Sequence, residues 1–264
     1  MPRLSPITRL HAALRKHGPL GAARVLGSRV RERFFPKPVP VHHFDIQHGV
    51  DTGGLLWTRK LRSGQANDQH ITAYYGTSPS LFRGVIEQWQ QTLAATPYQL
   101  SDFTLIDLGC GKGRVLMMAS DLPFRRIVGI ELNPDLVATA NANLFRWNTS
   151  SHACTDITVL CADVLTALDA LTASLANSPV LLYLYNPFDE HVMLPLLEQL
   201  SAASRTRTAP IDIIYAHPAH SGLFERIPGM TLPWTGKIPI AVEDTAVDVF
   251  NSTGQDVNIY RLAG

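Results

Sequence analysis

Three cysteines, Cys110, Cys154 and Cys161, are all that this 264-residue chain contains. None stands at the short spacing of paired metal ligands, which sets aside a cysteine-ligated ion and points to a reducing compartment. No apolar run approaches the roughly 18 residues of a membrane span, so no membrane span is expected. The first residues hold no apolar core of a secretory signal. There is no internal repeat and no low-complexity tract, so a solenoid or a fibrous chain is not the reading. A net charge of +1 gives the whole chain no strong preference for partners of either sign.

That balance conceals an asymmetry. Residues 1–37 carry nine Lys and Arg and a single acid, Glu32, which leaves 14 basic and 21 acidic residues for the rest. A basic arm is joined to an acidic body. Pro36, Pro38 and Pro40 mark a linker, so residues 1–40 read as an arm and linker that solvates as a helical extension or meets an anionic partner. An Arg-rich, acid-poor start is also how a mitochondrial transit peptide reads; otherwise the chain is expected to be cytoplasmic. With 45% hydrophobic and 17% charged residues, the remaining length can bury one sizeable core.

Residues 44–56 show turn signals at Gly49 and at Gly53-Gly54 but no clear period. From Ser78 the pattern becomes helical. Ser78 can cap, Pro79 suits the first helical position, and Leu81, Phe82, Val85, Ile86, Trp89 and Leu93 recur at helical spacing. Beyond Pro97, strands are expected at Phe103–Leu108, Arg126–Glu131, Ile157–Cys161, Val180–Tyr185 and Ile211–Tyr215. Helices between them start near Arg114, Pro134, Val164 and Asp189. Apolar, β-branched strands in that rhythm indicate a parallel sheet covered on both faces. The terminal stretch "AVDVFNSTGQDVNIYRL" reads as an antiparallel hairpin with a glycine turn. The expected fold is therefore α/β, a doubly wound sheet ending in a reversed strand. Its parts are the arm and linker at 1–40, a cover segment and lead-in helix at 41–97, and the sheet domain at 98–264.

In such a sheet, ligands sit beyond the carboxyl ends of the strands. The first strand runs into "DLGCGKG", where Gly109, Gly111 and Gly113 leave no Cβ atoms to block close approach of a ligand. Arg114 stands where a dinucleotide fingerprint has its third glycine, and no phosphate-loop Lys-Ser/Thr pair follows. Acids mark the strand ends. Asp107 can hold a cationic amino group, Glu131 can accept from a ribose diol, and Asp163 can accept from an adenine amine or cap the next helix. Three acids around a glycine turn describe a nucleoside that bears an ammonium group and lacks phosphates, namely S-adenosylmethionine (SAM).

"DLGCGKG", Glu131 18 residues beyond Gly113, Asp163 and the terminal hairpin together resemble the class I (seven-β-strand) SAM-dependent methyltransferases from about Tyr74 onward. The resemblance implies a Rossmann-like sheet ordered 3-2-1-4-5-7-6 with strand 7 antiparallel, and SAM as the cofactor. The fourth strand ends in "YNPFDEH", and Asn186 there would face the transferable methyl. Its side-chain oxygen can accept from an amine or amide nitrogen and aim the lone pair; Pro187 fixes the turn, and Phe188 can stack on a base or face an alkylammonium. Nucleic-acid amino-methyltransferases carry a similar Asn/Asp-Pro-Pro-Tyr/Phe, here one proline short. The non-SET histone-lysine methyltransferases (the disruptor-of-telomeric-silencing type) carry an Asn and a Phe on this loop and a Tyr-Gly-Glu-Thr segment before a helix. The counterpart here, "YYGTSPSLF", keeps Tyr75 and Thr77 as candidates to close over SAM but lacks the Glu. Uncharacterised bacterial methyltransferases share a "GVDT" segment, here Gly49–Thr52, read as a structured cover over the mouth of the site.

The expected activity is methyl transfer to a nitrogen, of a protein lysine or small amine, with a nucleic-acid base or a non-catalytic SAM-binding role as alternatives. An acidic body favours an amine; the basic arm favours nucleic acid. "DEH", Asp189–His191, suggests a metal, but consecutive helical residues point in different directions, so none is expected. His217 at the fifth strand end is a candidate base, Trp234 a candidate wall residue in a proline-rich loop, and Cys161 a core residue of its strand.

Overall fold

A computed structural model describes residues 41–175, 177–247 and 252–263. The expected arm and linker at 1–40 lie outside the described residues. From Val41 onward the chain clusters as one compact unit.

The lead-in portion holds α1 (His43–His48), β1 (Leu55–Leu56), β2 (Tyr74–Tyr75) and α2 (Pro79–Leu93), with short 3-10 turns at Thr58–Lys60 and Ala66–Gln69. Strands and helices then alternate: β3 (Thr104–Leu108), α3 (Arg114–Ser120), β4 (Arg126–Glu131), α4 (Pro134–Trp147), β5 (Ile157–Cys161), α5 (Val164–Ser174), β6 (Val180–Tyr185), α6 (Glu190–Ser204) and β7 (Ile211–Ala216). The chain continues through α7 (Ser221–Phe224), β8 (Met230–Pro239), α8 (Val242–Thr245) and β9 (Gly254–Leu262). β1 and β2 pair with each other; the other seven strands form one sheet in the order β5-β4-β3-β6-β7-β9-β8. Only β9 opposes its neighbours. Counted within that sheet, the order is 3-2-1-4-5-7-6 with strand 7 reversed, a Rossmann-like doubly wound sheet.

The central strands are apolar because both of their faces are covered. Leu105, Ile127, Leu181 and Ile214 face a layer with Trp89 and Leu81 of α2, Leu116 of α3 and Leu144 of α4. Their neighbours Ile106, Val128, Leu182 and Ile213 face Leu168 of α5 and Leu196 and Leu200 of α6. Each such side chain, once buried, contributes about 1.5–3 kcal/mol. Asp212, fully buried in β7, is held by a 2.8 Å bond from Trp89 Nε1 and by two bonds from Arg261, at 2.6 and 2.7 Å. Strand order reverses between β3 and β6, and the crevice that this opens lies past their carboxyl ends. No helix among the described residues is long and apolar enough to cross a membrane.

Several expectations are corrected. Residues 43–48, which overlap the stretch 44–56 that showed no clear period, form α1, capped by His42, whose Nδ1 accepts from Phe44 N–H, and ended by Gly49 at φ 66°. Six residues are too few for a helical period to show. Ser78 occupies the cap position of α2, but its hydroxyl makes no capping bond. The hairpin begins earlier than expected: β8 takes in "LPWTGKIP", read as a loop because of its prolines, whereas Val242–Thr245 is helical and Ala246-Val247 lie in a turn. β8 is the sheet's edge, where a missing N–H costs no ladder bond. Cys161 is exposed rather than core, because β5 is the opposite edge.

Candidate functional site

The crevice at the reversal point is a cleft, partly open to solvent, lined by residues of β3, β4 and β6 and by residues 61–77. Its floor is the glycine turn. Gly109, Gly111 and Gly113 have φ of 79°, 53° and 84°, a left-handed run that side chains resist. A Cβ on Gly109 would lie 2.9 Å from Cβ of Pro187, so the glycine turn and the Asn-Pro-Phe turn are in direct contact. Gly111 lies beneath the Tyr74 ring, and Gly113 caps α3.

Two acids sit beside this turn. Glu131 ends β4 and is almost fully buried; its carboxylate accepts from Gly111 N–H at 2.9 Å and Asn133 N–H at 2.8 Å. These backbone bonds fix the carboxylate and leave it lone pairs for a diol. Asp107, in β3, is 4% exposed and lines the cleft, yet no hydrogen bond among the described residues reaches its carboxylate. Burial, with the charge of Glu131 added, raises its pKa well above the ordinary carboxylate range; burial also raises that of Glu131. A cation entering the cleft beside it would favour the ionised carboxyl. Asp163 is a helix cap, as one expectation had it: Oδ1 accepts from Leu165 N–H at 2.9 Å. Its Oδ2 accepts from the Asn67 amide at 2.6 Å while the residue still lines the cleft.

The roof is made by residues 61–77. Arg114, the residue in the third-glycine place, is buried and reaches up into this roof. Its Nε donates to Thr52 Oγ1 at 2.6 Å and its Nη1 to the carbonyls of Gly76 and Thr77 at 3.4 and 3.2 Å. Nη2 lies 3.7 Å from Asp45 Oδ1. Asp45 in turn accepts from the N–H groups of Thr52 and Gly53 at 2.9 and 2.7 Å and from the Thr52 hydroxyl. The "GVDT" stretch is thus bolted to the glycine turn, with Lys112 to Asp51 at 2.7 Å and Tyr74 to the Thr52 carbonyl at 2.6 Å as further ties.

On the far side, Asn186 and His217 are the non-glycine residues with positive φ among those described, at 43° and 53°. They directly follow β6 and β7, whose last residues Tyr185 and Ala216 are paired in register. Strain of this kind is concentrated at functional sites. The turn directs the Asn186 side chain to Tyr215, whose hydroxyl donates to Oδ1 at 3.1 Å, while the Asn186 carbonyl accepts from the Thr72 hydroxyl at 2.8 Å. Gln255 bridges Tyr185 and His217: its Oε1 accepts from the Tyr185 hydroxyl at 3.3 Å, and its Nε2 lies 3.1 Å from His217 Nδ1. Gln255 thus holds the His217 ring in place at the end of β7 through Nδ1.

Of the expected site residues, Tyr75, Thr77, Asp107, Gly109, Glu131, Asp163, Pro187 and Phe188 line one cleft. Gly111 and Gly113 support it from behind. Asn186 does not line it; its side-chain oxygen is turned to Tyr215 rather than toward the cleft. Tyr183, Tyr185, Asn67 and Arg114 also line the cleft and were not singled out for that role from sequence. Arg114 was the one with a signal, a charged residue in a glycine's place.

No protein-family model matches the chain, and no curated protein matches it by sequence. A comparison with solved structures does find similar chains. A SAM-dependent methyltransferase from Agrobacterium tumefaciens is 10% identical over 72% of this chain and 65% of its own, with a TM-score of 0.43. Precorrin-6y C5,15-methyltransferase from Geobacter metallireducens GS-15 is 18% identical over 66% of this chain and 85% of its own, with a TM-score of 0.43. An RNA methyltransferase from Salinibacter ruber, in complex with S-adenosyl-L-homocysteine, is 17% identical over 71% of this chain and 93% of its own, with a TM-score of 0.40.

Proposed function

We propose that this protein is a SAM-dependent methyltransferase acting on a nitrogen of an amine or a protein lysine. The observation that carries the reading is Asp107: a buried carboxyl, lining the cleft, that no hydrogen bond among the described residues reaches, beside a glycine turn and a second acid. An ammonium-bearing nucleoside supplies what this arrangement lacks. Asp107 takes the amino group and Glu131 the ribose hydroxyls; Asp163 and Asn67 border the base. Tyr75 and Thr77 close the roof, held by Arg114.

SAM supplies an electrophilic methyl; the chain has to place a neutral lone pair in line with it. Pro187 and Phe188 shape the wall at which the acceptor enters, and Phe188 and Tyr75 offer faces to an alkylammonium. Asn186 fixes the turn through Tyr215 and Thr72, which makes it a positioning residue for that wall. The acidic composition of residues 41–264 suits a cationic acceptor.

The test is transfer of labelled methyl from SAM into a fractionated lysate, with Asn186→Ala alongside. Label in protein or small amines that falls in the variant supports the proposal. Label confined to nucleic acid replaces the acceptor class with bases. Tight SAM binding with no Asn186-dependent label in any fraction turns the reading toward a binding module.

A further inference from the structure

Consecutive residues of the Asp189–His191 stretch do not converge on one point, but the fold brings a further ligand to Asp189 and His191 from far away. His70, 119 positions before Asp189, is carried onto the start of α6 by a short antiparallel zipper. Ile71 bridges Phe188, Thr72 N–H donates to the Pro187 carbonyl at 3.0 Å, and Asp189 N–H donates to the His70 carbonyl at 2.8 Å. His70 Nδ1 then lies 2.9 Å from Asp189 Oδ2, and His191 Nδ1 lies 3.5 Å from Asp189 Oδ1. One ligand atom from each of the three falls within 4.8 Å of the others. Bonds of about 2.0–2.1 Å to a tetrahedral ion place ligand atoms roughly 3.3 Å apart; the His70 and His191 rings, stacked with centroids 4.7 Å apart, reach that arrangement by rotating so that their nitrogens converge, which the exposure of His191 leaves room for.

Among the described residues a second group, His42, His43 and Asp244, has a similar make-up, and proton placement separates the two. His42 Nδ1 accepts from the backbone N–H of Phe44 at 3.1 Å, a donor that cannot be reversed. Its proton is therefore on Nε2, the atom facing Asp244, and no lone pair is free for an ion. At His70 the partner of the outer nitrogen is the side-chain amide of Gln69, 3.1 Å from Nε2. Gln69 is exposed, and rotating its amide by half a turn presents the oxygen instead. His70 then carries its proton on Nε2, donates it to that oxygen and frees Nδ1 toward Asp189. A ligating imidazole that donates its other N–H to an oxygen is the usual arrangement around a bound ion.

We propose that His70, Asp189 and His191 form a divalent transition-metal site, with Zn²⁺ the first candidate for two imidazoles and one carboxylate. His191 is 66% exposed, which leaves the fourth position to water. The site does not line the cleft, but Ile71 and Phe188 beside it do. The ion clamps the roof segment to the Asn-Pro-Phe turn. It does so independently of SAM, so this inference stands or falls apart from the proposed activity.

The test uses untagged full-length protein, stripped with a chelator and titrated with Zn²⁺ against a chromophoric competitor, then with Co²⁺ by visible absorption. One ion per chain is expected, with affinity reduced at least tenfold in His70→Ala, His191→Ala and Asp189→Asn and a rise in melting temperature on loading the unaltered protein alone. His191→Ala alters an exposed side chain and Asp189→Asn retains a capping residue, so both remain folded for the comparison. Absence of one-to-one binding, or binding unchanged in His70→Ala and His191→Ala, overturns the proposal.

Discussion

Arg114 Nε lies 2.6 Å from the hydroxyl of Thr52, joining the helix after the glycine turn to a stretch 62 residues earlier. The same guanidinium faces the buried carboxylate of Asp45 and two carbonyls of the roof. Where a dinucleotide fold places glycine to let helix and strand approach, this chain places a strut that holds the roof over its cleft.

Replacing that strut leaves Asp45 buried without its cation. Arg114→Met should cost about 3 kcal/mol of stability, the range for breaking a buried pair from one side, and should weaken SAM binding because Gly76 and Thr77 lose their anchor. Urea unfolding measures the first effect and calorimetry the second. A variant as stable as the parent would show that the roof is held by Lys112 and Tyr74 alone.

His42 makes a pH dependence. Burial, followed by the nearby charge of Arg114, lowers its pKa from 6.5 to about 4. Between those values the unfolded chain binds a proton that the folded chain does not, so stability falls as pH drops from about 7 and levels off below about 4. From pH 7 to 5 the loss is about 1–2 kcal/mol after allowance for solvent screening. His42→Asn, which retains an N-cap acceptor for Phe44 N–H, should remove this part of the slope. An identical slope in variant and parent would assign it to other groups.

Tyr215 and Asn186 should act as a unit. Burial raises the Tyr215 pKa to about 12, so it stays a donor to Asn186 throughout the neutral range. Tyr215→Phe should lower turnover in the same direction as Asn186→Ala, with the double variant no worse than the poorer single one. SAM affinity should change less than about threefold in each. Additive losses would mean that the two residues serve separate functions.

The strands that position the site were legible because they are buried on both sides. Arg126–Glu131 and Val180–Tyr185 run as read, since a continuous apolar run closed by an acid or a proline is too short for a helix and too apolar for a surface loop. The edge of the sheet was not legible. β8 contains Pro233 and Pro239, which exclude a central strand but not an outer one, and nothing in the local sequence says which strand will be outermost. Gly109 and Glu131 could be assigned to a ligand from their positions at strand ends. The direction of the Asn186 side chain depends on a positive φ that no pattern encodes. His70 meets Asp189 only through a single bridge between distant segments, and such a bridge leaves no periodic trace.

The central claim is that the cleft takes an ammonium-bearing nucleoside against Asp107. Calorimetric titration of SAM into the unaltered protein and Asp107→Asn, between about pH 8 and 5, tests it most directly. The cation stabilises the ionised carboxyl, whereas burial and Glu131 favour its proton in the free protein. Binding should therefore be one-to-one and strongest at the alkaline end, and should weaken as pH falls through the raised Asp107 pKa. Asp107→Asn should bind at least tenfold more weakly, about 1.4 kcal/mol, with a flatter pH profile. Absence of SAM binding, or equal affinity in the two proteins at every pH, would contradict the account.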